Sequence, residues 1–329
     1  MLRWAKRLAK ATGRPAWSVV LLAKEPAPLV LANLCWHLEA GARHVHLYLD
    51  DPEDPVAALA AGIPGVSVTP CDDAFWQRLN GGRPALQTRR QALLATLAYR
   101  AMAEGWMVHL DADEFLWPPG GLERDLAQLS PRAPWLHLPV KERCYLTPSP
   151  QNLFEGGFLS PQGGATPQDP DRAAFLSRGL SGHAAGKGVT RCGLPAELLP
   201  HAPRLAGERP PADSAQSCCI LHFDGLTPLH WMIKIMRYAA HPPGQWERFL
   251  GPHRRAQVAH ARAIMADPAA LRAFHDLLKH RPDTGAGAAV PAFDPAPAMH
   301  ARLDDPPALD VAGFDALLRQ TCPEAAAFS

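Results

Sequence analysis

The sequence has 329 residues, 47% hydrophobic and 20% charged, so it can bury a large core and does not have the composition of a disordered chain. Its 33 basic and 32 acidic residues leave a formal net charge of +1, which excludes long-range attraction of nucleic acid, and any anionic ligand must be met by local groups. The seven cysteines are scattered, and Cys218 and Cys219 are adjacent. This pattern indicates neither a disulfide framework nor a paired metal site, and it favours a reducing, cytoplasmic setting.

Residues 1–16 form a basic segment that we interpret as a helix or arm. Leu2, Ala5 and Leu8 share a helical face opposite Lys6, so the segment either docks on the protein or lies on an anionic membrane surface. The chain start lacks the continuous apolar stretch of a signal peptide, and no apolar run approaches the roughly 20 residues of a spanning helix. We therefore expect a cytoplasmic protein, with peripheral association at the inner face of the membrane as the alternative.

Strand-like and helix-like segments alternate from residue 17 to residue 118. The apolar and alternating runs predict strands at 18–22, 45–49, 66–69 and 106–110. Helical spacing, with glycines at the ends, predicts intervening helices from Pro28 towards Gly41, over 56–61 and over 85–104. Such alternation predicts an α/β fold, with a Rossmann-like, mixed but mostly parallel sheet and helices on both faces.

The remainder of the sequence is less regular. It predicts helices over 122–129, through 231–238 and around 314–318, strands at 135–138 and 219–223, a long loop over 147–171 and a loosely ordered connection over 283–307. We therefore divide the chain into a first half (17–118), a second half of the same domain (119–265) and a C-terminal extension that is helical and rich in Pro and Ala (266–329).

Charged residues follow each predicted strand of the first half. They are Lys24-Glu25, Asp50-Asp51 with Asp54, Asp72-Asp73, and Asp111-Ala112-Asp113-Glu114. In parallel sheets, ligands bind outside the carboxyl ends of the strands, so these groups are expected to converge on one site.

The Asp111-Ala112-Asp113 triplet directly follows an apolar strand. A strand has a side-chain period of two, so both carboxylates are expected to point to the same side and Ala112 to the other. Hard ions such as Mn²⁺ or Mg²⁺ bind through one or two carboxylates, with water and substrate phosphates completing the shell. The triplet thus predicts a metal that offsets charge on a departing diphosphate.

Three segments carry a resemblance to a known family. Leu22-Ala-Lys-Glu-Pro26, His46-Leu-Tyr-Leu-Asp-Asp-Pro-Glu-Asp54 and His109-Leu-Asp-Ala-Asp-Glu-Phe-Leu116 resemble motifs of the bacterial family-2-like and family-92-like glycosyltransferases, which have the GT-A fold. The segments 182–191, 200–201 and 221–225 are similar to the later Gly-Lys, His and His-Tyr elements of that family. Pro26 and Asp51-Pro-Glu depart from its pattern, which indicates a different pocket for base and ribose.

The resemblance implies a hexosyltransferase-like enzyme that moves a sugar from a UDP- or GDP-sugar to a glycan or lipid-linked acceptor, in cell-surface polysaccharide assembly. The half 17–118 would then bind the nucleotide-sugar, and the half 119–265 would bind the acceptor and complete the site. The resemblance also implies the following roles: nucleoside binding by Lys24, Glu25, Asp50 and Asp51; donor contacts by Arg89, Arg90 and Gln91; diphosphate binding by Lys187 and Arg191; ribose or metal contact by Asp111; and metal binding by Asp113, completed by His222 and His201. The need for local positive charge in a nearly neutral protein independently favours the roles of Lys187 and Arg191. The alternative for both is that of exposed basic residues in a glycine-rich loop.

Transfer with inversion requires a carboxylate that accepts the proton of the acceptor hydroxyl. Glu142 and Asp224 are the candidates, and the sequence does not choose between them. Two other functions remain open on the same residues: a phosphohydrolase that uses Asp111 as its nucleophile, and a non-catalytic carbohydrate-binding protein on a transferase fold.

Overall fold

The computed structural model describes residues 15–147, 150–162, 170–242, 244, 250–281 and 293–328. The predicted N-terminal helix and the first part of the connection predicted over 283–307 lie outside these residues. Within the described part, no helix combines the length and the apolar character needed to cross a lipid bilayer.

Thirteen strands and eleven helices are present among the described residues. The strands are β1 Trp17–Ala23, β2 His44–Leu49, β3 Val66–Pro70, β4 Trp106–His109, β5 Glu114–Trp117, β6 Trp135–Leu138, β7 Val140–Cys144, β8 Gly157–Leu159, β9 Lys187–Arg191, β10 Ala196–Leu198, β11 Pro203–Leu205, β12 Asp213–Ser214 and β13 Cys219–His222. The helices are α1 Ala27–Glu39, α2 Val56–Ala60, α3 Asp73–Asn80, α4 Gln87–Arg100, α5 Gly121–Gln128, α6 Pro170–Ala173, α7 Pro228–Ala240, α8 Pro252–Ile264, α9 Pro268–Lys279, α10 Ala296–His300 and α11 Val311–Thr321. A 3-10 turn, Pro323–Phe328, ends the described chain.

These elements belong to two compact units. The described residues among 1–139, 185–220 and 295–306 form the first unit, and those among 140–184, 221–294 and 307–329 form the second. Each unit is thus assembled from separated segments, and its limits differ from the contiguous segments 17–118, 119–265 and 266–329 predicted from the sequence.

The first unit contains a seven-stranded sheet in the order β12-β6-β9-β4-β1-β2-β3. Neighbouring pairs among β1 to β4 are parallel, as are β12 and β6, whereas β9 runs antiparallel to both β4 and β6. The 3-2-1-4 order is that of a nucleotide-binding half of the Rossmann type. The chain adds β2 and β3 on one side of β1 and β4 on the other, so the strand order reverses beside β1. The predicted α/β fold with a mixed, mostly parallel sheet and helices around it is confirmed.

The central strand β1 owes its position to an unbroken apolar sequence. All seven residues of Trp17–Ala23 are buried, as is typical of a parallel strand covered on both faces. The following helix α1 begins immediately after Pro26, and the chain leaves it through Gly41 with a φ of 111°, a conformation that favours glycine. Both features agree with the prediction for this region.

Two regions of the first unit differ from the prediction. Helix α3 was absent from it, although Asp72 is a typical N-cap and accepts a hydrogen bond from the Phe75 amide at 2.6 Å. The segment containing Lys187 and Arg191 was interpreted as a loop because of its glycines. It forms the buried strand β9, since Gly186, with a φ of 65°, permits a turn directly before it.

The second unit is built from the β7–β8 antiparallel pair and the helices α7, α8, α9 and α11. The predicted helices through 231–238 and around 314–318 correspond to α7 and α11. The stretch 147–171, predicted to be one long loop, instead contains β8, whose residues pair with Glu142 to Cys144 of β7. Helices α8 and α9 were not predicted.

Candidate functional site

The first unit has an open cleft of about 500 Å³ at the carboxyl ends of β1, β2 and β3. Its lining consists of residues that follow these strands, together with the loop before α4: Lys24, Asp50, Asp51, Pro52, Cys71, Asp72, Asp73, Ala74 and Arg83. Three of the four residues predicted to line a nucleoside pocket are among them, whereas Glu25 is not among the residues that line the cleft in the described part of the chain.

Asp50 is the most firmly held residue of the cleft. The buried Arg90 of α4 donates from Nε to Oδ1 and from Nη2 to Oδ2, both at 2.8 Å. Arg83 approaches Oδ1 with its Nη2 at 2.9 Å and remains 42% exposed. Bidentate pairing of this kind fixes both partners, so Asp50 serves as a rigid anchor for Arg83 at the edge of the cleft.

The other cleft residues are more open to solvent. Lys24 lies 3.5 Å from Asp51, and both side chains are largely exposed. Asp72 caps α3, and Asp73 lies in the first turn of that helix. Burial raises the pKa of the Cys71 thiol to about 12, so it stays protonated and is not a nucleophile at neutral pH.

The residues 111–114 form a turn between β4 and β5, in which the Glu114 amide donates to the Asp111 carbonyl at 3.1 Å. The strand therefore ends before the triplet, and the prediction that a strand period places Asp111 and Asp113 on one side is wrong. The buried Asn33 of α1 holds the turn, because its side-chain amide donates to the carbonyls of Ala112 at 3.0 Å and Glu114 at 2.9 Å.

Neighbouring residues of α1 secure the strand that follows this turn. Trp36 donates from Nε1 to the Leu116 carbonyl at 2.8 Å, and the Leu116 amide donates to Nε2 of His37 at 3.2 Å. Burial lowers the pKa of His37 to about 4, so the ring is neutral and its Nδ1 donates to the Asn33 carbonyl at 2.8 Å. One face of α1 thus determines the path of β5 and the position of Asp111.

A buried ammonium lies against this turn. Lys187 is fully buried, and its Nζ lies 2.7 Å from Oδ2 of Asp111 and 2.9 Å from Oε2 of Glu114. Gln91 donates to Oδ1 of Asp111 at 2.5 Å, and the Asp111 amide donates to Oε2 of Glu114 at 2.8 Å. Because Arg90 and Gln91 are consecutive in α4, this helix connects the turn with the Asp50 anchor.

The charges of this cluster stabilise one another. Burial has the largest single effect and would raise the pKa of Asp111, but the charge and hydrogen bond of Lys187, together with His109, hold the pKa below its ordinary value. Burial would likewise lower the pKa of Lys187, yet Asp111 and Glu114 together raise it above its ordinary value. The lysine is therefore protonated, and Asp111 ionised, throughout the physiological range.

The predicted metal ligands do not form a ready-made site. Both side-chain oxygens of Asp111 are taken by Lys187 and Gln91, and His201 donates from Nδ1 to the Gly186 carbonyl at 2.9 Å. Asp113 is only 5% exposed. Among the described residues, no group of three or more His, Cys, Asp or Glu side chains is arranged to hold an ion. The Asp111 carboxylate, already bound by an ammonium and an amide group, thus does not fit a resident divalent ion, and we derive no step through one.

The cations predicted to bind the diphosphate are placed differently. Lys187 is enclosed by carboxylates, as described above. Arg191 pairs with Trp106 at the beginning of β4, the edge opposite to Asp111, and its guanidinium lies 4.2 Å from the ring centroid of Trp106. Arg191 is therefore corrected to a structural residue, whereas Arg89 is exposed on the first turn of α4. Arg83, which the sequence analysis missed, is the cation that lines the cleft with Lys24.

The two candidate bases lie in the second unit, in a separate buried network. Oε1 of Glu142 accepts hydrogen bonds from the amide and hydroxyl of Ser181 at 2.8 and 2.7 Å, and Oε2 accepts one from the Gly182 amide at 2.6 Å. Lys279 lies 3.3 Å from Oε1 of Glu142 and 3.0 Å from Oδ2 of Asp224. Arg254 donates to the other oxygen of Asp224 at 3.0 Å.

Both carboxylates of this network are strongly ionised. Burial opposes ionisation of Glu142, but Lys279 and His222 outweigh it and hold its pKa below the ordinary value. Arg254 and Lys279 do the same for the pKa of Asp224 against its burial. His222 has its Nδ1 3.6 Å from Oε2 of Glu142, so it belongs to this carboxylate network. An efficient general base has a pKa near the working pH, and the pKa values of both carboxylates lie below that pH.

Comparisons with known proteins give no family assignment. No protein-family model matches the sequence, and no curated protein matches it. Solved structures with partial likeness include S. aureus TarS 1–349 (TM-score 0.36, 11% identity, 82% of this chain and 76% of that one). A second is the mannosyltransferase PcManGT from Pyrobaculum calidifontis in complex with GDP-Man and Mn²⁺ (0.32, 13%, 96% and 83%), and a third is 4-diphosphocytidyl-2C-methyl-D-erythritol synthase (0.30, 14%, 56% and 78%). Likeness at this level assigns no activity to this chain.

Proposed function

We propose that this protein is a glycosyltransferase that takes its sugar from a nucleotide-sugar bound in the cleft of the first unit. The observation that carries the proposal is the position of that cleft at the carboxyl ends of β1, β2 and β3, where β1 is the strand beside which the strand order reverses. Nucleotides bind in such crevices in open α/β sheets. A volume of about 500 Å³ is also within the range of small-molecule sites.

The cleft supplies the groups that a nucleoside diphosphate requires. Lys24 and Arg83 offer positive charge to phosphate oxygens, and Arg83 is pre-oriented by its contact with Asp50. The carboxylates of Asp51 and Asp73 are exposed at the same edge, where they can accept hydrogen bonds from ribose hydroxyls or base N–H groups. Of the four aspartates in the lining, Asp50 is already bound by Arg90 and Asp72 caps α3, so Lys24 and Arg83 are the side chains proposed to meet the phosphates.

Asp111, which follows β4, the neighbour of β1 in the sheet, is the proposed contact of the donor sugar. Its carboxylate is ionised, 34% exposed and fixed by Lys187 and Gln91, so it can accept a hydrogen bond from a donor hydroxyl in a single orientation. The acceptor, by the resemblance noted above, is a saccharide or a lipid-linked glycan, and the process is cell-surface polysaccharide assembly. Glu142 and Asp224 remain the proposed bases of the second unit, although their low pKa values make each a weak one.

Calorimetric titration with UDP, GDP and CDP, each in EDTA and in Mn²⁺, tests the proposal. We expect one nucleoside diphosphate to bind to the wild type, and Arg83→Ala to weaken its affinity by about tenfold, or roughly 1.4 kcal/mol. Arg100→Ala, which removes an exposed arginine at the last residue of α4 and outside the cleft lining, is the matched control and should leave the affinity unchanged. Absence of binding by every nucleotide in both conditions would refute the proposal.

A further inference from the structure

The cation that lies between the Asp111 and Glu114 carboxylates of the Asp111-Ala-Asp-Glu114 turn is a side chain of the protein. Strand β9 runs antiparallel to β4 and β6, so its first residue, Lys187, reaches the edge where those strands end. Its fully buried Nζ contacts one oxygen of Asp111 and one of Glu114, at 2.7 and 2.9 Å. The sequence separation of more than 70 residues means that tertiary folding brings the three groups together.

The geometry leaves no room for a divalent ion between these two carboxylates. Mg²⁺ requires oxygen ligands at about 2.0–2.1 Å in a nearly octahedral arrangement. The ammonium occupies the space between Asp111 and Glu114, while Gln91 takes the second oxygen of Asp111 and the Asp111 amide donates to the Glu114 oxygen that Lys187 contacts. An ion at this position would have to displace the fully buried Lys187 ammonium from both carboxylates, and an unpaired buried charge is costly.

We propose that Lys187 permanently provides the positive charge of this motif, so that the protein binds its nucleotide donor without a divalent metal. This proposal rests on the proposed function, which supplies the nucleotide. Lys187 acts as a positioning residue: it keeps Asp111 ionised and oriented, and its ammonium offsets the negative charge of Asp111 and Glu114. Charge on the departing diphosphate is then met by the lysine and arginine side chains of the first unit.

Mn²⁺ binding followed by electron paramagnetic resonance tests the cation assignment without any nucleotide. We expect wild-type protein, freed of metal with EDTA, to show no Mn²⁺ site that Asp111→Asn abolishes. Lys187→Ala leaves two carboxylates facing a vacated space, so it should gain one Mn²⁺ site, which the Lys187→Ala/Asp111→Asn double variant should lack. A wild-type Mn²⁺ site that Asp111→Asn removes would overturn the proposal, and this result does not depend on whether Lys187→Ala folds.

Nucleotide affinity tests the functional consequence. We expect the dissociation constant of the bound nucleoside diphosphate to agree within about twofold in EDTA and in Mn²⁺, whereas a tightening of about tenfold or more by Mn²⁺ would overturn the proposal. If no nucleotide binds in either condition, the proposed function fails, and the proposal of metal-free donor binding falls with it. The Mn²⁺ titration then still reports separately on the Lys187 position.

Discussion

Asp50 and Asp111 illustrate how single carboxylates at strand ends can be held by the protein's own cations. Asp50 accepts hydrogen bonds from Arg90 and forms an ion pair with Arg83. Asp111 accepts hydrogen bonds from Lys187 and Gln91. Burying a carboxylate is costly unless a cation with suitable geometry meets it. Each aspartate is thereby fixed in one orientation before any ligand arrives.

The Asp50–Arg90 pair is expected to contribute to stability as well as to shape. Arg90→Met leaves Asp50 buried beside Arg83 alone, so the free energy of unfolding should fall by about 3–5 kcal/mol. Arg89→Met, at the preceding exposed position of the same helix, should change it by about 0.5 kcal/mol or less. Chemical denaturation of both variants and the wild type provides the measurement, and equal losses would show that Arg90 is not a buried partner.

The pairing of Asp111 with Lys187 predicts a particular pH dependence. The folded-state pKa of Asp111 lies below its ordinary value of 3.8, so its contribution to stability is complete above that value and is lost as the pH falls towards the folded-state pKa. The difference in unfolding free energy between wild type and Asp111→Asn should therefore be constant from about pH 7 to pH 5 and should shrink below about pH 4. Denaturation curves across this range test it, and a difference that grows in acid would contradict the pairing.

At the scale of elements, helix caps and close contacts at glycine positions determine much of the local structure. Helix α3 begins where Asp72 accepts the Phe75 amide, and it ends at Gly81 with a φ of 71°. In the second unit, Gly182 lies against the buried carboxylate of Glu142, where a side chain would not fit. Both features are visible as residue types in the sequence, but their partners become apparent only in the folded chain.

The N-cap of α3 should be measurable in stability. Asp72→Ala leaves the Phe75 amide without its acceptor and is expected to lower the free energy of unfolding by about 1 kcal/mol. Asp72→Asn, which retains a capping oxygen, should lose a few tenths at most. Urea denaturation distinguishes the two, and equal losses for both substitutions would indicate that charge, not capping, is responsible.

The contact at Gly182 predicts a larger effect. A Cβ at this position would lie 2.2 Å from Oε2 of Glu142 and 2.8 Å from Cε1 of His222, so Gly182→Ala must displace a carboxylate held by two backbone amides. We expect a loss of about 1–3 kcal/mol, as for other overpacked sites. Gly62→Ala, which meets no atom within 4 Å and has an ordinary φ, is the control and should be neutral or slightly stabilising.

At the scale of the whole molecule, the chain forms two compact units that each combine distant segments. The first unit contains the Rossmann-type sheet and the cleft, and the second contains the Glu142–Asp224–Lys279 network. The chain passes from one unit to the other at five points, near residues 139, 184, 220, 294 and 306, and none of them coincides with the divisions at 118 and 265 predicted from the sequence. Contacts between residues far apart in sequence define these units, and single-sequence patterns do not report them.

Much of the first unit was predictable because its signals are local. Apolar runs, helical spacing and terminal glycines correctly predicted β1 to β4 with α1, α2 and α4. The rule that ligands bind at the carboxyl ends of parallel strands predicted that Lys24, Asp50 and Asp72 lie at one edge of the sheet. Helix α3, strand β9 and most of the second unit were missed. Strand β9 is short and contains a glycine, and burial in the tertiary structure overrides its weak local preference. Helices α8 and α9 have 13 and 12 residues without glycine, and Asp267 followed by Pro268 is a typical helix start, so local signals for these helices are present in the sequence.

For the site as well, some features follow from the sequence alone and others only from the folded chain. Which residue types follow each strand can be read from the sequence, since adjacency along the chain is sufficient. Which of them meet is a property of the folded chain: antiparallel β9 brings Lys187 to Asp111 and takes Arg191 to the opposite edge, although the two lie four residues apart. A strand of five residues is about 17 Å long, so its direction alone decides which end reaches the site.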